Sequence, residues 1–174
     1  GRRADLSFYD PRYMHNIEIH SHHGIFEWFA FDAMKRRLKA GFVAASDDHT
    51  CRLGMSYPLY KHGKKAHTAF DVASGLTGVY ASALTKQAIW DGLCARRCYA
   101  STLGRVALLV KAGEYYMGEE ISVDEIPELY IRVAGSAPIE KVIIYDWEEK
   151  IAEKRLLPAS KHRIRINWSG VVRR

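Results

Sequence analysis

The stretch NIEIHSHHGIFEWFAFDAMKRRLKAGFVAASDDHT, residues 16–50, decides how the first half of this chain is read. Residues 16–23 alternate as a strand does, setting Ile17 and Ile19 on one face and Glu18, His20 and His22 on the other. From Glu27 to Ala40 the apolar residues Phe31, Met34 and Leu38 recur at helical spacing. Lys35, Arg36, Arg37 and Lys39 suit the negative end of that helix, and Gly41 is its expected stop. Phe42 to Ser46 is a short strand of small apolar residues, as in a buried parallel sheet. Strand, helix and strand make a βαβ unit with Asp47 at the C-terminal end of its second strand.

Working outward, residues 52–75 hold Gly54, Pro58, Gly63, Gly75 and the run KHGKK, and read as a long loop. Gly75 to Tyr80 reads as another short strand. Thr85 is placed to cap the helix KQAIWDGLCARR, whose buried stripe is Ile89 and Leu93. After Gly104 the pattern changes to VALLV, ELYIRVA, EKVIIYDW and HRIRINW, separated by turn-rich pieces. Strands following one another without helices predict an antiparallel β-sandwich, immunoglobulin-like in type. The expected fold class is therefore α/β plus all-β, with an α/β part over residues 1–104 and a β-sandwich over 105–174, cut short at its end. The chain does not begin with Met and ends in WSGVVRR, as expected for a piece of a longer protein.

The composition, 48% hydrophobic and 26% charged, supports a packed core and excludes a disordered tail. No run of about 18 apolar residues predicts a membrane span. Cys51, Cys94 and Cys98 are odd in number and lack zinc-knuckle spacing, so neither a disulfide scaffold nor a zinc ribbon is expected, and the cytoplasm is the expected compartment. The net charge of +6 favours anionic partners. Nucleic acid is the disfavoured one, because the KRRLK helix and KHGKK loop read as solvated faces and no basic stripe with interleaved aromatics stands in the linear sequence.

In an extended segment residues two apart point the same way, so Asp47 and His49 share a face and Asp48 points away. A carboxylate and an imidazole at one strand end are half of a site for Zn, Mn or Fe. Parallel neighbours bring their C-terminal ends together, so His20, His22 and His23 should meet that pair, with Glu18 deeper and structural. Tyr99, Ser101 and Thr102 are expected to bond the backbone of their own linker.

These motifs resemble the PHP superfamily, the polymerase and histidinol phosphatase domain. Ser46, Asp47, Asp48 and His49 are similar to its last metal motif, Ser-Asp-x-His. The order His23-Gly24, Ser46 to Thr50, Ala95 to Thr102 and then Met117-Gly118-Glu119 resembles a poorly characterised PHP-like branch. That resemblance implies the last strands of a distorted (β/α) barrel, with divalent metal ions at its rim and hydrolysis of phosphoesters by a metal-bound hydroxide. It implies Asp47 and His49 as metal ligands and His23 as a ligand or substrate contact. Arg52 or Arg97 would clamp a small anionic substrate, with His20 and His22 beside it. The first half of the family's ligand series is absent from the chain. The expectation is accordingly the C-terminal portion of a hydrolase, inactive by itself, and the alternative is a non-catalytic binding module.

Overall fold

The computed structural model describes residues 5–21, 23–47, 75–102 and 104–166. The βαβ unit is there: β1 (Asn16–Ser21) pairs in parallel with β3 (Gly41–Ala44), and α1 (Glu27–Lys35) crosses between them. A two-residue strand, β2 (Gly24–Ile25), turns back against β1 first. The helix is shorter than its periodicity predicts. It closes at Arg36, Arg37 takes a left-handed φ of 56°, and Gly41 opens β3 instead of ending the helix. Its buried residues are Ala30 and Ala33, so close approach of the backbone wins over the larger Phe31, Met34 and Leu38.

The next hairpin pairs β4 (Leu76–Val79) with β5 (Cys98–Ser101) around α2 (Lys86–Cys94). Thr85 caps α2 as expected, its hydroxyl accepting from the Ala88 N–H at 3.2 Å. Asn16 fastens β1 to this unit by donating to the Leu93 carbonyl and accepting from the Cys98 thiol. Gly41 packs against Cys98 and Arg96, while Thr77 of β4 reaches Ala44 at the other end of β3.

Among the described residues beyond 104 every element is a strand: β6 (Ala107–Ala112), β7 (Tyr115–Tyr116), β8 (Leu129–Ala134), β9 (Lys141–Asp146), β10 (Glu149–Arg155) and β11 (Lys161–Ile166). Four of them form an antiparallel sheet in the order β11-β8-β6-β7, and β9 and β10 form a separate hairpin. The core lies between the two, around Ile131, Ile164 and Ile166, with Leu108 and Val110 from the sheet and Val142, Ile144 and Ala152 from the hairpin.

The fold class expected from the sequence is corrected by this arrangement. Among the described residues there are two nine-residue α-helices and four small sheets, none closed on itself, so the molecule is mostly β and not a (β/α) barrel with an appended immunoglobulin-like sandwich. The physical reason is plain: the barrel was implied by the motif resemblance, whereas the chain shows one parallel crossover among the described residues, and closing a barrel takes many such crossovers in register. No helix among the described residues is long and apolar enough to cross a membrane.

Candidate functional site

The C-terminal ends of β1 and β3 lie side by side because the strands are parallel, and the Ala45 N–H extends the ladder to the His20 carbonyl at 3.0 Å. Between Glu18 and His20 the register slips by one residue. This bulge breaks the alternation expected from the sequence: Glu18 stays exposed, whereas His20 turns inward and is 4% exposed. Its ring fits between Ala44 and Gly75, where any side chain at position 75 would overlap it. Neither ring nitrogen of His20 has a hydrogen-bond partner among the described residues. Leaving such a group unmet costs about 1–3 kcal/mol, so each one in a native protein calls for an explanation such as strain, a catalytic role or a bound ion.

His23 sits in the turn joining β1 to β2, its backbone N–H donating to the Ser21 hydroxyl at 3.1 Å. From there its Nε2 reaches the Asp47 Oδ2 at 3.2 Å. Asp47 lies past the end of β3 in a left-handed conformation, φ 52°, which Asp tolerates better than most residues. The strand alternation used to pair Asp47 with His49 therefore does not extend to Asp47. Glu18 joins the same electrostatic neighbourhood. Desolvation raises its carboxyl above the ordinary range, the Asp47 charge adds to the rise, and His20 opposes it.

The structure thus brings His23 to Asp47, and Glu18 feels the charges of both Asp47 and His20. His22, Asp48, His49 and Arg52 lie outside the described residues. Arg97 is not brought to this end. It precedes Cys98, which packs on Gly41 at the opposite end of β3, and its guanidinium pairs with Glu119 at 3.0 Å. Tyr99 and Ser101 bond the linker backbone as expected, donating to the Val106 carbonyl at 2.7 Å and the Gly104 carbonyl at 2.5 Å.

One contributor escaped the sequence reading. The Thr77 hydroxyl accepts from the Ala44 N–H at 3.0 Å and donates to the Ala44 carbonyl at 2.6 Å. It occupies the place of a strand neighbour and holds the end of β3 below Asp47. A threonine in a four-residue strand carries no sequence signal for that role.

The donor chemistry, imidazole with carboxylate plus an unmet buried imidazole, fits a divalent transition metal or zinc. Among the described residues no three His, Cys, Asp or Glu side chains are grouped closely enough to hold an ion by themselves. A complete set would have to draw on further donors.

Comparison with known proteins adds a frame but no activity. The chain is similar to an "Uncharacterized protein" of Chlamydia trachomatis serovar D, 30% identical over 130 residues, which is 71% of this chain and 20% of that protein. It is also similar to an "Uncharacterized protein" of Chlamydia pneumoniae, 29% identical over 119 residues, or 65% and 18% of the two chains. The chain spans about a fifth of the length of these curated relatives. No solved structure matches. Residues 55–135 match the family described as "Protein of unknown function (DUF3604)".

Proposed function

We propose that this chain contributes to the metal site of a hydrolase acting on small anionic esters, phosphoesters first among them, of the kind the PHP-like motif implies. The observation that carries the reading is the His23–Asp47 pair, 3.2 Å apart across the C-terminal ends of two parallel strands. An imidazole and a carboxylate converge there from separate elements, and on β1 the buried His20 has ring nitrogens that meet no partner among the described residues.

In this reading Asp47 and His23 would hold a divalent ion of the Zn, Mn or Fe class, with His49 a further ligand on the strength of the motif resemblance alone. When bound, the ion supplies Lewis acidity and a lowered pKa for water. The chain's own residues do the positioning. The bulge at Ile19 turns His20 inward, the left-handed Asp47 aims its carboxylate back at His23, and Thr77 fixes the strand end beneath them.

The test is metal analysis of the full-length protein together with hydrolysis of phosphomonoester and phosphodiester substrates, comparing wild type with Asp47→Ala and His49→Ala. Loss of bound metal and a fall in hydrolysis beyond about 10–100-fold are expected, since that is the scale for losing groups that merely support a ligand. Full metal content with unchanged hydrolysis in both variants would sink the assignment and leave a binding module as the better reading.

A further inference from the structure

The outer face of the four-stranded sheet carries a feature that strand order alone creates. Along β11, Lys161, Arg163 and Arg165 are exposed and alternate with His162 and the buried Ile164 and Ile166. On the neighbouring β8, Tyr130 and Arg132 share that outer face while Ile131 and Val133 point into the core. The register sets Arg132 directly opposite Arg163, and Tyr130 between Arg165 and Lys111 of β6. Lys111 in turn faces Tyr116 of β7, its ammonium 4.9 Å from the ring centroid.

Like charges directly opposite on an antiparallel pair are destabilising. Arg132 and Arg163 nevertheless face each other, and neither they nor Lys161 has an ion-pair partner among the described residues. Protection of a sheet edge against pairing would explain cations on β11, which is an edge strand. It does not explain Arg132, which lies on an interior strand. Arg132, Arg163 and Lys161 line a concavity of about 600 Å³. Beside it Lys111, Tyr130 and Arg165 line a second one of about 390 Å³, where Glu114 and Glu128 partly balance Lys111 and Arg165.

We infer that this face binds single-stranded nucleic acid, with Arg132, Arg163 and Lys161 on the phosphates and Tyr130 and Tyr116 as stacking platforms for bases. Cations two residues apart along a strand are spaced by about 6.7 Å, so an extended polyanion can meet them in succession. Cations alone would serve an acidic peptide or a lipid surface equally well. The half-buried Tyr130, set between Arg165 and Lys111, and the exposed Tyr116 beside Lys111 favour bases, because a positive groove with aromatic platforms is how sequence-tolerant single-strand binding is built.

The experiment is fluorescence anisotropy of a labelled oligothymidylate of about 16 nucleotides with the full-length protein, across a range of salt concentrations. Binding is expected to weaken steadily with salt, and Arg132→Gln with Arg163→Gln should reduce the log–log slope by about 1.4. Tyr130→Leu should weaken binding roughly tenfold or more and leave that slope unchanged. Arg12→Gln, which removes an exposed cation of the N-terminal turn, should change neither. Circular dichroism matching wild type keeps the comparison interpretable, and removing the Arg132–Arg163 repulsion should not unfold the sheet. A salt-independent signal, an unaltered slope in the double variant, or tighter binding of polyglutamate or anionic phosphatidylserine vesicles would overturn the proposal.

Discussion

His20 is the residue at which stability and use pull apart. It is buried against Gly75, and among the described residues both ring nitrogens lack a partner, so within that part of the structure the desolvation of an imidazole is not repaid. His20→Leu, of similar bulk, removes that cost. Metal-stripped protein carrying it should unfold at the same temperature as wild type or a few degrees higher, and a loss above about 1 kcal/mol would show that the nitrogens are in fact satisfied. Cys98 tests burial at the other end of β3. Its thiol donates to Asn16 Oδ1 at 3.0 Å, and burial pushes its pKa up to about 11. Only about one molecule in a thousand then holds the thiolate at pH 8, so iodoacetamide should modify Cys94 well before Cys98 in native protein, as peptide mass mapping would show. These residues mark the limit of linear reading. The strand at 16–21 was legible from its alternation, but the bulge that separates Glu18 from His20 depends on β3 and leaves no mark in β1. The left-handed turn at Asp47 is equally silent, and it removes the geometric ground for pairing Asp47 with His49.

Among the elements, the junction of β4 with β3 governs the site. Ala44 is paired with β1 on one side, and on the other its N–H and carbonyl are both taken by the Thr77 hydroxyl. Thr77→Val keeps the shape and leaves two main-chain groups without partners. A loss of about 1–3 kcal/mol is expected in thermal or urea unfolding, and, on the proposed metal site, weaker metal retention with it, because Asp47 follows the strand that loosens. Unchanged stability together with unchanged metal content would mean that the hydroxyl contributes nothing. Element identity was read well where periodicity was strong: β1, α1, β3, α2 with its Thr85 cap, and the strands β6, β8, β9 and β11. The short β4 was read as well, within Gly75 to Tyr80, whereas β2, β5, β7 and β10 were missed. KIAEKR within β10 is charged enough to pass for a loop, and it is a strand because β9 supplies a partner. Pairing is a property of two segments, which a pattern within one cannot show. The basic sheet face has the same origin, since Arg132 and Arg163 meet only through register.

At the scale of the molecule, the α/β part and the β-rich part are tied by an ionic clasp. Lys39 and Arg96 both bond Glu120, Arg97 bonds Glu119 at 3.0 Å, and Arg96 also donates to the Gly118 carbonyl at 3.0 Å. Gly118 is required there: its φ is +88°, and a Cβ would collide with the Ala95 carbonyl. Aromatic contacts extend the tie, with Phe31 edge-on to Tyr145 at 5.1 Å and Arg37 over the Trp147 ring at 5.8 Å. The clasp predicts a definite pH dependence. The hydrogen bond from Lys39 first, and the charges of Lys39 and Arg96 with it, hold the Glu120 carboxyl below its ordinary value of 4.5. A group with a depressed folded pKa stabilises the protein at pH above its unfolded value and loses that contribution as pH falls through the folded one. Wild type should therefore melt higher than Glu120→Gln near pH 7, and the two curves should converge as the pH drops below 4.5. About 1 M salt, with a Debye length near 3 Å, should shrink the neutral-pH difference, because the carboxylate is exposed. A gap that persists unchanged in strong acid would assign the effect of the substitution to packing and remove the clasp from the account of how the two parts hold together.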